Sequence, residues 1–505
     1  MKPGVIKKPL HPRLFYRPAK HALRHCCLVF SALFIFIFLL NITCEGQDNP
    51  IDFYTAIDNK LLGDSSAKLF IAAIEISGNK KTKEYIIQRE MRFKQGDSIP
   101  ASEIYNKLAR SQELIYNTTL FTEVTLVPHF ISATDVRIQA TVREKWYIYP
   151  SPQFQIVDRN LNEWLNRYNA DLERVIYGAK FAHYNLSGRR DQLRVYLLNG
   201  YARNISFNYT APYSNRALTE GFSIAASYTQ NREITYKTSY DNIPLRYKGT
   251  GFVKNAFSVS GAYIIRRGFY RRHVFNLGYH NINVNDSITK KYNPNYFNVN
   301  KNYVGYPEVG YTYQYIHTNN VNYPLTGKTY TLSLLKRGFK FKGGINMLSL
   351  DANLNKFFSL GKNWYTSSAN YIKIKAPFTQ SFLNQRALGY DDLYLRGLEK
   401  YVVDGVAIFL SRATLKKKII AFNIPVPFKN SITPVIPFTI FAKTFADMGY
   451  SYNKAGFDTN LGNRLLYTGG FGIDILSLYD FNLKIEYSFN QLGEKGLFLH
   501  AKGGF

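Results

Sequence analysis

The sequence predicts a mainly-β protein: a transmembrane antiparallel β-barrel of about sixteen strands preceded by one small α+β domain. Three observations carry this. From Trp146 onward, segment after segment alternates apolar and polar side chains, the period of a strand whose two faces meet different surroundings. Tyr and Phe are abundant, 40 and 37 against 4 Met, and Tyr suits both strands and a membrane–water boundary. Past residue 40 no stretch is long and apolar enough for a spanning helix, which needs about 20 residues. A polypeptide that enters a bilayer without such helices must do so as a closed barrel.

The first residues read as a targeting segment. Lys2, Lys7, Lys8, Arg13, Arg17, Lys20 and Arg24 form a basic region without acids, and an apolar run follows from Cys26 to Leu40. This is the pattern of a secretory signal peptide over 1–46, with cleavage expected before Gln47. A signal anchor is the alternative; a lipoprotein start at Cys44 is disfavoured by Asn41-Ile42-Thr43 ahead of it. The three cysteines, Cys26, Cys27 and Cys44, all lie here, so the mature chain would hold neither a disulfide framework nor a thiolate metal site. Residues 47–67 are mixed and polar, and read as a linker.

From Lys68 the pattern sharpens. Leu69–Ile76 is a strand closed by the turn Ser77-Gly78-Asn79, and Thr82 is placed to cap a helix over 83–91. Gly96-Asp97 turns the chain into a second helix, about 101–116, with Ile104, Leu108, Leu114 and Ile115 on its apolar face. Strands are expected at Thr122–Pro128 and Asp135–Val142, giving a module over 68–145.

The barrel is expected over 146–505, with strands starting near Tyr147, Val175, Gln192, Ile205, Phe222, Phe257, His273 and Val309, then near Lys328, Met347, Trp364, Val406, Ile436, Leu466, Phe481 and Gly496. Tyr330, Leu332 and Leu334 share one face; Ile485, Tyr487 and Phe489 share another, opposite Lys484, Glu486 and Ser488. The last strand sets Leu497, Leu499, Ala501 and Phe505 against His500 and Lys502. A soluble β-sandwich would need a second apolar layer on the polar faces, and the sequence supplies none.

Two motifs single themselves out. In Gly389–Leu398 a loop carries Leu395-Arg396-Gly397-Leu398, a fixed cation beside a residue that turns tightly. Downstream, Phe445-Ala446-Asp447-Met448-Gly449 places an acid inside a strand. If both face a lumen, guanidinium and carboxylate make a fork-shaped pair. From the residues alone, an ordinary charged loop and an unrelated strand aspartate remain the alternative.

The charge balance is 64 basic to 35 acidic residues, +29 overall. Such a balance raises nucleic acid as a partner, but the cations are dispersed singly through the dyads and form no arm or helix face. A basic lumen or a rim meeting anionic lipid fits the spacing better. No metal-ligand spacing, nucleophile elbow or phosphate loop occurs, so neither metal, cofactor nor enzymatic chemistry is expected.

Residues 68–145 closely resemble a POTRA (polypeptide-transport-associated) domain. The matching positions are Gly78, Asn79, Thr82, Ile87, Arg89, Gly96, Asp97, Phe121, Val124 and Glu144. With the strands that follow, 68–505 resembles the BamA/TamA-type family of outer-membrane assembly and translocation barrels of Gram-negative bacteria. Asn185–Gly188 and Tyr209–Pro212 are similar to its early-strand motifs, and Gly470–Asp474 to its late glycine-rich strand. The Arg396 loop resembles the family's sixth surface loop, which folds into the lumen, and Phe445–Gly449 the strand that receives its arginine. Leu398 departs from the aromatic usual there, so its packing against the wall is expected to differ. Phe505 resembles the terminal aromatic that serves such barrels as an export signal.

The resemblance implies an outer-membrane protein whose periplasmic POTRA domain receives unfolded outer-membrane or secreted client polypeptides, by β-augmentation at a sheet edge, and whose barrel inserts or translocates them. A weak seam between first and last strands is part of that expectation. A single POTRA domain points to an accessory or specialised role. Lipids, accessory lipoproteins and periplasmic chaperones are the other implied partners. The alternative reading is a passive pore for small anionic solutes with a basic lumen. A surface adhesin would need long loops, and only 290–306 and 379–405 qualify.

Overall fold

The computed structural model of the chain describes residues 67–156, 171–340, 344–390, 392–426, 435–454 and 459–502. The signal peptide, the three cysteines, most of the linker, Asp391 and Phe505 lie outside the described residues.

The N-terminal domain runs β1 (Lys68–Ser77), α1 (Glu84–Gln88), β2 (Ser98–Pro100), α2 (Ile104–Tyr116), β3 (Phe121–Phe130) and β4 (Asp135–Glu144). Its sheet order is β2-β1-β4-β3, with β1 parallel to β4 and the other pairs antiparallel. Ile86 and Ile87 of α1, and Ile104, Leu108 and Ile115 of α2, meet Ile71, Val124, Leu126 and Ile138 of the strands in one core. The expected order of elements holds, with β2 added between the helices. Thr82 is not the cap expected of it: α1 has Lys83 at its N-cap and no side-chain cap bond.

The barrel strands are β5 (Ile148–Ile156), β6 (Val175–Tyr184), β7 (Gln192–Gly200), β8 (Ala202–Ala211) and β9 (Glu220–Asn231). A small hairpin follows, β10 (Glu233–Thr238) and β11 (Pro244–Lys248), before β12 (Lys254–Arg267), β13 (Arg271–Val284), β14 (Tyr303–Thr318), β15 (Gly327–Arg337), β16 (Met347–Gly361) and β17 (Trp364–Ala376). Next come the short pair β18 (Arg386–Leu388) and β19 (Val403–Asp404), then β20 (Ala407–Pro425), β21 (Val435–Tyr452), β22 (Leu465–Leu476), β23 (Asn482–Asn490) and β24 (Lys495–Lys502).

Among the described residues, sixteen of these form one antiparallel sheet in chain order, from β5 to β24, with the two small hairpins outside it. The outward row is apolar: Leu332, Leu334, Leu350, Leu497 and Leu499 are all exposed. The inward row is polar and closely packed, with Glu486 and Asp474 buried. The sheet is curled: Tyr323, in the β14–β15 turn, donates its hydroxyl to Asp474 of β22 (2.7 Å) and lies against Phe441 of β21. Dyads therefore located fifteen of the sixteen barrel-strand starts to within three residues; β14 begins at Tyr303, six residues ahead of the expected Val309.

Two things were not anticipated. The β9–β12 connection carries the β10–β11 hairpin, a third long connection beside the two expected. It folds together with 284–306, Ile345 and Phe382 in an apolar dome over the far rim, around Tyr296 and Phe297. At the near rim the N-terminal domain is docked on the barrel turns, and Tyr147, Tyr213 and Leu218 complete its core.

Candidate functional site

The loop between β17 and β20 folds back so that Arg396 reaches Asp447 of β21. Its Nε lies 2.9 Å and its Nη2 2.5 Å from the two carboxylate oxygens, and its own backbone N–H donates to Oδ2 at 3.0 Å. Asp447 is fully buried and Arg396 nearly so. A carboxylate removed from water needs its lone pairs filled, and one residue fills three of them. Nη1 donates to Thr414 (3.2 Å), and the guanidinium plane sits 3.9 Å from the Phe445 ring centroid. The two motifs are thus one structure.

The small residues around it are spatial requirements. A Cβ on Gly449 would fall 2.8 Å from Leu395, and one on Gly470 would fall 2.7 Å from the tip of Phe445. Gly397 has φ +93° and turns the chain immediately after the arginine. Leu398, the departure from the aromatic pattern, is buried with Leu388, Leu395, Val403 and Leu466. Its smaller side chain is accommodated inside the loop's own apolar cluster.

Around the pair runs a compensated charge network. Glu486 is 3.8 Å from Arg396 Nη1 and 2.6 Å from Lys443, whose other partner is Asp474. Lys416 lies 3.5 Å from Asp474 and 4.0 Å from the Tyr323 ring centroid. His500 of β24 stacks on Tyr394 and approaches Glu486 at 3.4 Å, tying the last strand to the loop. Lys375 anchors the base of the loop, donating to the carbonyls of Asn384 (2.8 Å), Arg386 (2.7 Å) and Gly405 (3.1 Å). Nothing in the strand pattern marks Lys375, because a lumen lysine looks the same whether it meets water or carbonyls.

The N-terminal motif residues divide by role. Gly78 (φ +89°) lies where a Cβ would strike the Val142 carbonyl, Gly96 (φ +90°) turns, and Asp97 accepts the Lys94 N–H (2.8 Å). Asn79 donates to the Thr82 carbonyl (3.1 Å); Phe121 and Val124 are core. Glu144 accepts the N–H groups of Lys81 and Thr82 (3.0 and 2.6 Å). Thr82 and Arg89 face the barrel instead. The Thr82 hydroxyl meets Tyr147 (3.1 Å) and Asn185 (2.9 Å), while Arg89 donates to the carbonyls of Leu218 and Gly268, both at 3.0 Å.

Two docking residues escaped the sequence reading. Glu90 makes a buried bidentate pair with Arg266 at the end of β12 (2.5 and 2.7 Å) and accepts the Tyr213 hydroxyl (3.0 Å). Burial pushes the Glu90 carboxyl up, but Arg266 outweighs it and holds the group below the usual range. Asp480, in the β22–β23 turn, receives Tyr116 and Asn320 on one oxygen and Lys145 and Asn322 on the other, at 3.0 to 3.2 Å. Its pKa is also lowered, the Lys145 charge and these donors prevailing over burial. An acid beside an arginine, and another in a turn, look ordinary in sequence; only the fold gives them partners.

At the same junction a groove of about 780 Å³ runs from the solvent face of β3 and β4 onto β5. Lys80, Lys81, Thr125 and Arg143 line one side, the exposed Trp146 and Ile148 the other.

A small α+β domain docked on the rim of a sixteen-stranded barrel with an arginine-pinned lumen loop defines the class of protein. Residues 69–145 match the POTRA family model, described as surface antigen variable number repeat; the N-terminal domain is a POTRA domain. Among solved structures, the chain is similar to BamA from Haemophilus ducreyi lacking POTRA domains 1–3, at 15% identity over 86% of this chain and 84% of that one, TM-score 0.48. It is also similar to CdiB from Escherichia coli (10% identity, 88% and 92% covered, TM-score 0.43) and CdiB from Acinetobacter baumannii (11%, 86% and 73%, 0.42). No curated protein matches the chain.

Proposed function

We propose that this protein is an outer-membrane barrel of the BamA/TamA type that takes unfolded polypeptide clients at its periplasmic POTRA domain and assists their insertion or translocation. The observation that carries this reading is the groove from the POTRA sheet onto β5, the first strand of the barrel. It mixes charges of both signs (Lys80, Lys81 and Arg143 with Glu123 and Glu144), backbone-rich sheet and the exposed side chains of Trp146 and Ile148, surfaces that suit an extended amphipathic segment. A client held there lies beside the strand at which the sheet begins. The other end of the sheet, β24, has only 8 residues, and among the described residues no ladder joins it to β5.

The basic lumen, the basis of the pore alternative, does not favour a selectivity filter. Lys443, Lys416, Arg396 and Lys375 are all engaged by carboxylates or carbonyls. Arg396 and Lys375 fasten the loop, Lys443 and Lys416 are neutralised by strand acids, and such cations are poorly disposed to pass solutes.

The test is site-specific photocrosslinking in the intact protein reconstituted in liposomes, with the crosslinker at Thr125 or Ile148. An unfolded outer-membrane barrel polypeptide, diluted from urea, serves as client. Capture at both positions is expected. Capture at neither, together with steady passage of small anions through the reconstituted barrel, would establish the pore instead.

A further inference from the structure

The β20–β21 hairpin is much longer than its neighbours on the near rim. β17 accompanies β20 only as far as Trp364 opposite Lys417, with one further bond from Lys418 N–H to the Asn363 carbonyl (2.9 Å). β22 accompanies β21 only as far as Leu476 opposite Thr439. The two strands nevertheless stay paired with each other down to Pro425 opposite Val435. Ile419 to Pro425 therefore projects about 23 Å beyond the wall, at about 3.3 Å per residue.

This projection is apolar and in the open. Ile419, Ile420, Phe422 and Ile424 are 56%, 49%, 40% and 45% exposed. A register shift after Lys418 sets Ile420, Phe422 and Ile424 opposite Ile440, Phe438 and Ile436, in one continuous apolar row, with Phe422 stacked on Phe438 at 5.5 Å. The row lies beyond the stretch of β20 and β21 that β17 and β22 accompany. The β17–β20 ladder from Ile374 to Trp364 already has the length of a tilted spanning strand, about 9–11 residues. It ends in Lys417 against the exposed Trp364 ring, a pairing typical of a membrane boundary.

The two edges of the projection differ. The unaccompanied part of β21, Val435–Phe438, contains Pro437, which has no N–H to offer. Along β20, Ile419–Ile424 has neither proline nor charge, and among the described residues no strand pairs with its outer edge. Soluble edges are ordinarily blunted by charge, proline or a cover. This one is apolar and open on the rim that carries the N-terminal domain.

We propose that the outer edge of β20 from Ile419 to Ile424 is a docking strand for an amphipathic β-segment of an unfolded membrane-barrel client. The client segment adds to the hairpin by main-chain hydrogen bonds and lays its apolar alternate residues beside Ile420, Phe422 and Ile424. The proposal rests on the client-handling reading and assigns it a second capture element, separate from the POTRA groove.

The experiment places a photocrosslinking phenylalanine analogue at Phe422 in the full chain, reconstituted in liposomes and offered the same urea-diluted client. A parallel sample carries it at Thr125. Client adducts at Phe422 are expected, suppressed by a peptide of alternating valine and threonine but not by a shuffled peptide of equal composition. The variant I420T/F422T/I424T keeps strand-forming side chains and should lower client capture at Ile419 about tenfold or more through lost apolar contact, with heat-modifiable migration unchanged. Adducts only to lipid, or only to this chain's own residues 47–66, would overturn the proposal. Capture at Thr125 without capture at Phe422 would sink the hairpin site alone; capture at neither would sink the client-handling reading with it.

Discussion

Asp447, where the loop is pinned to the wall, faces two cations. Arg396 is bonded to it, and Arg412 Nε lies 3.9 Å away. Removing Asp447 leaves two guanidiniums without their shared anion, while removing Arg396 leaves the acid with Arg412 in reach. We therefore predict that Asp447→Ala destabilises the barrel by about 3–5 kcal/mol and Arg396→Ala by less. The double mutant should fall short of the sum by about 1–3 kcal/mol in chemical unfolding; strict additivity would show that the pair is not coupled. Arg396→Lys retains charge but not the fork, and should behave closer to Arg396→Ala than to wild type. A steric prediction accompanies the electrostatic one. Gly449→Val must displace Leu395 and should cost about 1–3 kcal/mol, part of which Leu395→Ala in the same chain should restore. No restoration would mean that the loop does not press on that strand.

At the scale of elements, the POTRA domain is held by buried polar contacts as well as by shared apolar core. Glu90 and Asp480 both have lowered pKa values in the docked state. Their contribution is thus complete above the ordinary carboxylate range, about 4, and disappears as pH falls through the lowered values. Docking should persist from neutral pH to about 5 and loosen only in stronger acid, below about 4. Hydrogen exchange at α1 and the β8–β9 turn, followed against pH, measures this; loosening between pH 7 and about 5 would contradict it. Glu90→Gln should undock the domain at neutral pH, since Arg266 would keep its buried charge without an anion.

For the whole molecule, the outward apolar row suits a bilayer outside and the inward charge network holds the loop inside. Expressed in a Gram-negative cell, the protein should fractionate with the outer membrane and migrate faster before heating than after, since a closed barrel resists detergent. Recovery from the soluble periplasm would refute the membrane reading. Removal of 68–145 should leave an inserted barrel that no longer captures client at Ile148, but one less stable than the intact protein. The domain takes with it the core around Tyr147, Tyr213 and Leu218 and the partner of Arg266.

What the sequence determined by itself was whatever local periodicity and backbone sterics dictate. Alternation placed every barrel strand, because a one-residue slip would turn each apolar row inward. Gly78, Gly96 and Gly397 declared their turns, because positive φ strains other residues there. The Arg396 and Asp447 motifs were visible as well, though their meeting was legible only through resemblance to a family. Tertiary structure alone decided which charges found partners. Glu90 with Arg266, Asp480 with its four donors, and Lys375 with its carbonyls join residues far apart in the chain. No periodicity encodes such a meeting. The same holds for the β20–β21 projection: strand length is written in the sequence, but its exposure depends on where β17 and β22 stop. Pattern fixes what each strand does to its own faces, whereas burial and exposure are properties of neighbours.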